Sequence, residues 1–424
     1  MQTVAIKVRD IGRKAATPPA APVRRTWSRI ELFLKVSERC NIECTYCYFF
    51  FGGDTSFESH PAYITQKTIV GVAEFLARTA RESGVDEVKI DFHGGEPMML
   101  KKHRFEEMCA TLQQHLSFVT LTLSMQTNAM LIDDDWVDLI AKYDIGIGVS
   151  LDGPREENDE HRIDHKGRGT YDRTVAGMRM LQAARAAGKM RRGFGIICVV
   201  DAKRDARRLL SHFVDELGVN DFTFALPMMS RDTMSEADAD TYTKFMCDLV
   251  DMWVERNDPE IRIGFVDQLL GLLVRGADGL GYSNEEQRQR TLFTISSNGE
   301  LGGQDDERIA SYAFGTGAIA SGAFGLSDFY ATPPLAKYIE ARKELGANCA
   351  TCCWQHVCKG GEAVSGNVQR YSAANGFANH SVYCRTIQAV LVKLTEFALS
   401  KGVPFEKLAE VLVDSDVVEE PVAA

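Results

Sequence analysis

The chain contains no run of eighteen apolar residues, so no membrane-spanning helix is expected. Its first 25 residues are basic and rich in Ala and Pro but hold no apolar h-region. They do not read as a secretory signal, and residues 1–27 are expected to form a flexible basic arm. Positive charge is not in excess: 48 Lys and Arg stand against 59 Asp and Glu, a net −11. That balance argues against a nucleic-acid or anionic-membrane surface, and neither is expected as a partner. No internal repeat stands out, which sets repeat architectures aside. Without an export signal, the eleven cysteines read as metal or catalytic ligands rather than disulfides, and a reducing cytoplasm is the expected compartment.

What is present is organised around Cys40-Asn41-Ile42-Glu43-Cys44-Thr45-Tyr46-Cys47. Just ahead of it, Ile30, Leu32, Leu34 and Val36 recur with period two, the mark of a strand. Three thiolates on a loop after a strand can converge on one point, where barrels and open α/β sheets place their chemistry. Three ligands without a fourth nearby suit a 4Fe–4S cluster with one iron open, whereas structural zinc is normally closed by four. Cys109, Cys198 and Cys247 fall in apolar patterns and Cys353 lies between better-placed neighbours, so these four are expected to be plain packing.

Strand and helix then alternate. Helices are expected at 65–83, 101–116, 134–143, 171–187 and 205–217, and strands at 85–92, 119–123, 145–149, 193–200 and 222–226. Six such units predict parallel strands with right-handed crossovers, fewer than a closed eight-stranded barrel needs. The fold class expected is α/β, an open partial (β/α)6 barrel over 28–235, followed by a helical connector over 236–290. Residues 276–290 read as a polar loop, and Ser297-Asn298-Gly299 as a hairpin turn.

Cys-x3-Cys-x2-Cys followed by aromatic Tyr48, after a first strand, resembles the signature of the radical S-adenosylmethionine (SAM) enzymes. In that family the open iron is chelated by SAM, and the reduced cluster cleaves SAM to a radical that abstracts hydrogen from a substrate. The resemblance implies a set of SAM contacts. His93-Gly94-Gly95-Glu96-Pro97 matches the stretch beside the SAM amino group, with Gly94, Gly95 and Glu96 as contacts. Gln126 and Asn128 match a third-strand motif, and Ser150 and Asp152 a fourth-strand motif that reaches the ribose and carboxylate. Arg162 resembles the arginine that pairs with that carboxylate. Tyr46 and Leu226 complete the set. Taken singly, Gly-Gly and Asp-Gly-Pro also read as turns, and Asn128 as a helix cap.

Near the C-terminus, Cys349, Cys352, Cys358 and the distant Cys384 resemble part of the SPASM domain of peptide-modifying radical SAM enzymes, expected here over 291–400 with a helix and tail over 401–424. Gln304 and Glu362 stand where that pattern has cysteines. The resemblance implies one SAM-binding 4Fe–4S cluster and one auxiliary 4Fe–4S cluster held by those four thiolates. A structural zinc site has similar spacing and stays open as the alternative. Arg370-Tyr371-Ser372, Asn375-Gly376-Phe377 and Ser381-Val382-Tyr383-Cys384, with Gln304 to Ile309, look like the maturases that build three-residue cyclophanes in ribosomal peptides (FxS-, GRRM- and Xye-type). Gln369 and an insertion between Gly361 and Arg370 depart from that pattern. Crosslinking must shed a proton and an electron, and Asp305 is the candidate proton acceptor. The expectation is thus a radical SAM peptide maturase, with a precursor peptide as substrate and an electron donor such as flavodoxin or ferredoxin. Two readings stand against it: sulfatase-maturase-like oxidation of a Ser or Cys side chain, and a non-catalytic iron–sulfur carrier or peptide-binding scaffold.

Overall fold

The computed structural model describes residues 29–275, 291–303, 317–318, 325–333, 336, 340–341, 343–361, 364 and 366–412. The expectations placed on the N-terminal arm, on 276–290, on Gln304 to Ile309 including Asp305, on Glu362 and on the C-terminal tail past 412 lie outside the described residues.

The six expected strands form and lie side by side. They are β1 (Ile30–Ser37), β3 (Glu87–Gly94), β4 (Thr120–Thr127), β5 (Gly146–Ser150), β7 (Phe194–Val199) and β8 (Asp221–Ala225). A short ribbon of β2 (Ile42–Cys44) with β6 (Arg162–Asp164) stands apart. The main sheet also takes in β9 (Arg262–Ile263), β10 (Thr291–Ile295), β11 (Glu300–Gly302) and β12 (Gly317–Ala318), in the order β12-β11-β10-β1-β3-β4-β5-β7-β8-β9. Every neighbour from β10 to β9 is parallel. The sheet curls without closing, as six crossover units lead one to expect. The position of β10 was not predicted: after the connector the chain returns and pairs with β1, Ile30 opposite Thr291 and Leu34 opposite Ile295.

Local chemistry explains most boundaries. The Thr65 side chain caps helix Gln66–Ser83 by accepting from Thr68 N at 3.1 Å, and Gly84 ends it at φ 68. Its apolar face (Ile69, Val72, Phe75, Leu76) is buried against the sheet. The stretch read as helical from 235 to 275 breaks into Glu236–Arg256 and Gly264–Arg275. Asn257 takes a left-handed conformation at φ 46, and Arg262–Ile263 then pairs with β8. Tertiary pairing overrode a continuous helical pattern there.

Along the strands the alternation sorts residues between two sides. Ile30, Leu32, Leu34, Val88, Ile90, Phe92, Ile147, Val149, Ile196 and Cys198 are buried in the core. The alternate positions (Phe33, Lys89, Asp91, His93, Ser124, Gln126, Gly146, Gly148, Gly195) line the barrel interior. The C-terminal region docks through helix Cys384–Ser400, which lies along Glu236–Arg256. Lys393 pairs with Asp251 at 2.6 Å and Arg385 with Asp240 at 2.7 Å, while Tyr383 donates to the Pro227 carbonyl at 3.1 Å.

Candidate functional site

The three-cysteine loop leaves the C-terminal end of β1 and is braced from two directions. On one side β2 pairs antiparallel with β6, which sets Cys44 opposite Arg162 and Ile42 opposite Asp164. The Thr45 amide donates to the His161 carbonyl at 3.0 Å, and His165 Nε2 lies 2.9 Å from the Cys40 carbonyl oxygen. On the other side Gly94 and Gly95 press against the loop's own backbone. Gly95 N donates to Ser37 O and Glu96 N to Arg39 O, both at 2.8 Å. A Cβ on Gly94 would overlap the Ser37 carbonyl oxygen, and one on Gly95 the Arg39 carbonyl. Gly94 also sits at φ 132. The close approach these glycines permit is therefore first to Ser37–Cys40.

Glu96 continues that brace. It is 1% exposed, and its carboxylate accepts from Thr127 Oγ1 at 2.7 Å, Asn128 N at 2.8 Å and Met98 N at 3.0 Å. Burial raises its pKa, and these hydrogen bonds and Arg162 pull it back only in part. Asn128 Nδ2 in turn donates to Asn41 Oδ1 at 2.7 Å. Gln126 Nε2 donates to Ser150 Oγ at 2.7 Å. Asp152 accepts from Val199 N at 3.1 Å and from the Tyr46 hydroxyl, which itself accepts from Arg162 Nη1 at 2.8 Å. Leu226 is buried at the end of β8. The expected SAM-contact residues thus fall into three hydrogen-bonded groups: Gly95, Glu96 and Asn128 on the cysteine loop, Tyr46 with Asp152 and Arg162, and Gln126 with Ser150.

Cys40, Cys44 and Cys47 are half-buried and close enough to repel one another as thiolates. Burial, with the Glu96 charge, pushes the Cys40 thiol up to about 12. Burial also raises the Cys44 thiol, so bare Cys40 and Cys44 hold their protons, and ligation to iron releases them. The fit to the carboxylate of a bound cofactor rests on unpartnered buried donors. Arg162, 7% exposed, leaves Nε without a partner, as Asn41 leaves Nδ2. Burial opposes the Arg162 charge, while Tyr46, Cys44 and Asp152 hold it in place. A guanidinium with a free edge beside a thiol triad suits a carboxylate.

The second set also converges. Cys349 lies in Ala347–Ala350, Cys358 ends Gln355–Cys358 and Cys384 opens Cys384–Ser400. Each of these thiols feels Cys352 or its neighbours electrostatically. Burial and the neighbouring thiols push Cys358 up to about 12 and Cys384 up to about 11. After Cys358 the backbone turns through Lys359, Gly360 and Gly361 at φ 48, 73 and 107, which folds it back against Arg370 and Ser381. Gln388 Nε2 reaches Cys352 Sγ at 3.7 Å. Among the described residues no group of three or more His, Cys, Asp or Glu side chains is drawn up tightly enough to hold a single metal ion. A four-iron cluster keeps its thiolates wider apart than one ion does. Of the cysteines assigned to packing, Cys109 and Cys198 are in the core, but Cys247 is only half-buried and Cys353 is exposed.

Asn41, His165 and the Lys35–His93 pair, 3.2 Å apart at the end of β1 and β3, belong to the site but were not singled out from sequence. Asn41 lies inside the cysteine motif. His165 is placed by strands of three residues, too short to carry a period.

Residues 34–198 match the family model described as the Radical SAM superfamily. The chain is 24% identical over 348 residues to the cysteine-type anaerobic sulfatase-maturating enzyme of Clostridium perfringens, covering 78% of this chain and 88% of that protein. It is 22% identical over 369 residues to the serine-type anaerobic sulfatase-maturating enzyme of Klebsiella pneumoniae, covering 82% and 85%. Among solved structures, native anSMEcpe with bound AdoMet superposes with a TM-score of 0.72 at 20% identity, over 88% of this chain and 99% of that one. Streptococcus suis SuiB bound to precursor peptide SuiA does so at 0.54 and 18%, over 83% and 75%. At such identities the structures establish the fold.

Proposed function

We propose that this radical SAM enzyme is a maturase acting on a peptide or protein side chain, and that it joins an aromatic ring carbon to the β-carbon of a residue two positions along in a ribosomally made precursor peptide. The observation that carries the reading is the pairing of two thiol sets: a triad beside a buried guanidinium whose Nε is unpartnered, and a second set of four. Cys40, Cys44 and Cys47 would hold one 4Fe–4S cluster, and Cys349, Cys352, Cys358 and Cys384 a second. When bound, SAM and the reduced first cluster supply hydrogen-atom abstraction. In this chain Arg162 binds the SAM carboxylate, with Asp152 and Tyr46 setting its angle. Gln126 and Ser150 present polar groups at the rim. Glu96, Asn128 and Gly95 hold the cysteine loop against the strand ends. Crosslinking removes two hydrogens from the peptide: one would leave as a hydrogen atom to the SAM-derived radical, the other as a proton to Asp305 and an electron to the second cluster. The partners are a precursor peptide and a small electron donor such as flavodoxin or ferredoxin, in the cytoplasm.

The crosslinking reading is supported by the resemblance of Arg370-Tyr371-Ser372 and Ser381-Val382-Tyr383-Cys384 to the cyclophane-forming maturases, and by Gln304 standing where an auxiliary ligand is usual. The names of the curated relatives favour a second reading, oxidation of a Ser or Cys side chain. One experiment separates them. Anaerobically reconstituted enzyme, SAM and reductant are incubated with an aromatic-containing precursor peptide and with a Ser- or Cys-bearing sulfatase peptide. A product lacking two hydrogens, unreactive toward hydrazide and linked in fragmentation, supports crosslinking. A hydrazide-reactive aldehyde from the sulfatase peptide alone overturns it in favour of the second reading.

A further inference from the structure

Glu38 is 1% exposed and stands just ahead of the first cysteine loop. A carboxylate so deeply buried needs partners from its own chain, and it draws them from two distant segments. One runs antiparallel to the end of β1: Glu38 N donates to Ala62 O and Ile64 N to Val36 O, both at 3.0 Å, with Tyr63 bridged to Ser37. This stretch supplies His60, whose Nδ1 lies 3.4 Å from Glu38 Oε1. The other is the turn between β10 and β11, where Ser297 N donates to the same oxygen at 3.0 Å. Ser297 Oγ also donates to Pro61 O at 2.7 Å, so the two segments hold each other as well.

His60 reaches the far side of that turn. Its Nε2 lies 3.3 Å from Glu300 Oε2, and while His60 is buried, Glu300 is only partly so. Each ring nitrogen thus faces a carboxylate. A bare nitrogen there would set its lone pair against those of the oxygen, so the bridge calls for N–H on both sides. Glu38 from the end of β1 and Glu300 from β11 are the charged groups that face it, and among the described residues no other ion pair of His60 arises. The backbone after Glu38 is already committed, since Arg39 O accepts from Glu96 N. The turn has less to hold it: it closes through Ser296 N to Glu300 O and Gly299 N to Ser296 O, and β11 is three residues long.

We propose that His60 is a positioning residue: by bridging Glu38 and Glu300 it fixes the β10–β11 turn, the first hairpin of the C-terminal region, against the stretch that enters the first cysteine loop. The placement of one region on the other sets where a bound peptide meets the radical; that consequence rests on the proposed reading, and the bridge does not. Amide exchange over 292–302, read by mass in anaerobically reconstituted enzyme, tests the bridge without any peptide. His60→Gln has donors on one side only and is expected to exchange at least roughly tenfold faster. His60→Arg, with a fixed charge and a fork of donors, is expected to stay within roughly threefold of wild type. Glu300→Gln, at a partly exposed position, is the companion should His60→Gln fold poorly by circular dichroism, and it is expected to accelerate exchange in the same direction. Unchanged exchange in the glutamine variants overturns the bridge, and so does equal acceleration in His60→Gln and His60→Arg, which would assign the effect to imidazole packing. The same preparations are then given precursor peptide, and 5′-deoxyadenosine is counted per crosslinked product. A ratio that rises in His60→Gln and returns in His60→Arg supports the positioning role, whereas a ratio that stays level while exchange accelerates overturns it. No crosslinked product from wild type would sink the crosslinking reading and leave the bridge to be decided by exchange alone.

Discussion

Arg162 and Glu96 differ in what they leave open: one keeps a donor unpartnered, the other is engaged by its own chain. Arg162 keeps Nε unpartnered while Nη1 is committed to Tyr46. Lysine would keep the charge and lose the fork. Arg162→Lys is expected to weaken SAM binding roughly tenfold, and Arg162→Gln further, because a buried charge-assisted pair is lost. Anaerobic equilibrium dialysis with labelled SAM measures this, and unchanged affinity in both variants would remove Arg162 from the binding set. Glu96 accepts three hydrogen bonds from its own chain. Glu96→Gln turns half of that acceptor into a donor, so a loss of about 2 kcal/mol in urea unfolding is expected. A variant as stable as wild type would mean the carboxylate serves a ligand rather than the loop.

At the scale of elements, the cysteine loop depends on the strand beside it. Gly95→Ala forces the Arg39 carbonyl away, so the first cluster should be lost while the second stays, iron falling from about eight to about four per chain. Full iron in that variant would show that the loop yields. The ion pairs of Glu31 with Lys89 and Arg29 offer a pH test. Burial raises the Glu31 pKa, but Lys89 at 2.8 Å and Arg29 at 3.0 Å outweigh it, and the net shift is downward from 4.5. A carboxylate depressed in the folded state adds stability that is full above its unfolded pKa and lost as pH falls through the folded one. Glu31→Gln should therefore cost about 1 kcal/mol near neutrality, with the difference from wild type vanishing as pH drops below 4.5. Denaturation midpoints across that range measure it, and a pH-independent gap would assign the loss to packing.

Over the whole molecule the two thiol sets sit in regions joined by a continuous sheet and by helix packing. β10 pairs with β1, the strand that leads into the first cysteine loop, and Cys384 opens the helix that lies on Glu236–Arg256. The sets are nevertheless separate in their ligands. Cys352→Ala should take iron from about eight to about four per chain and leave the SAM-dependent spectral change of the first cluster intact. About four irons with one zinc in wild type would make the C-terminal site structural, and a redox-neutral SAM reaction would then replace crosslinking.

Much of this arrangement is written along the chain. Period-two runs, helix caps and Gly84 specify six strand–helix units because such signals are local, decided within a few residues. The order of strand-end motifs (Gly94-Gly95-Glu96, Gln126-Thr127-Asn128, Ser150-Leu151-Asp152) could be read for the same reason: each falls where a period stops. Contacts between distant segments could not be read. That β10 joins β1, that Arg262–Ile263 interrupts a helical pattern, and that Arg162 faces Cys44 across a ribbon of three-residue strands are pairings whose partners lie far apart in sequence. The role of Gly94 and Gly95 changed likewise, since the backbone they make room for comes from the end of another strand.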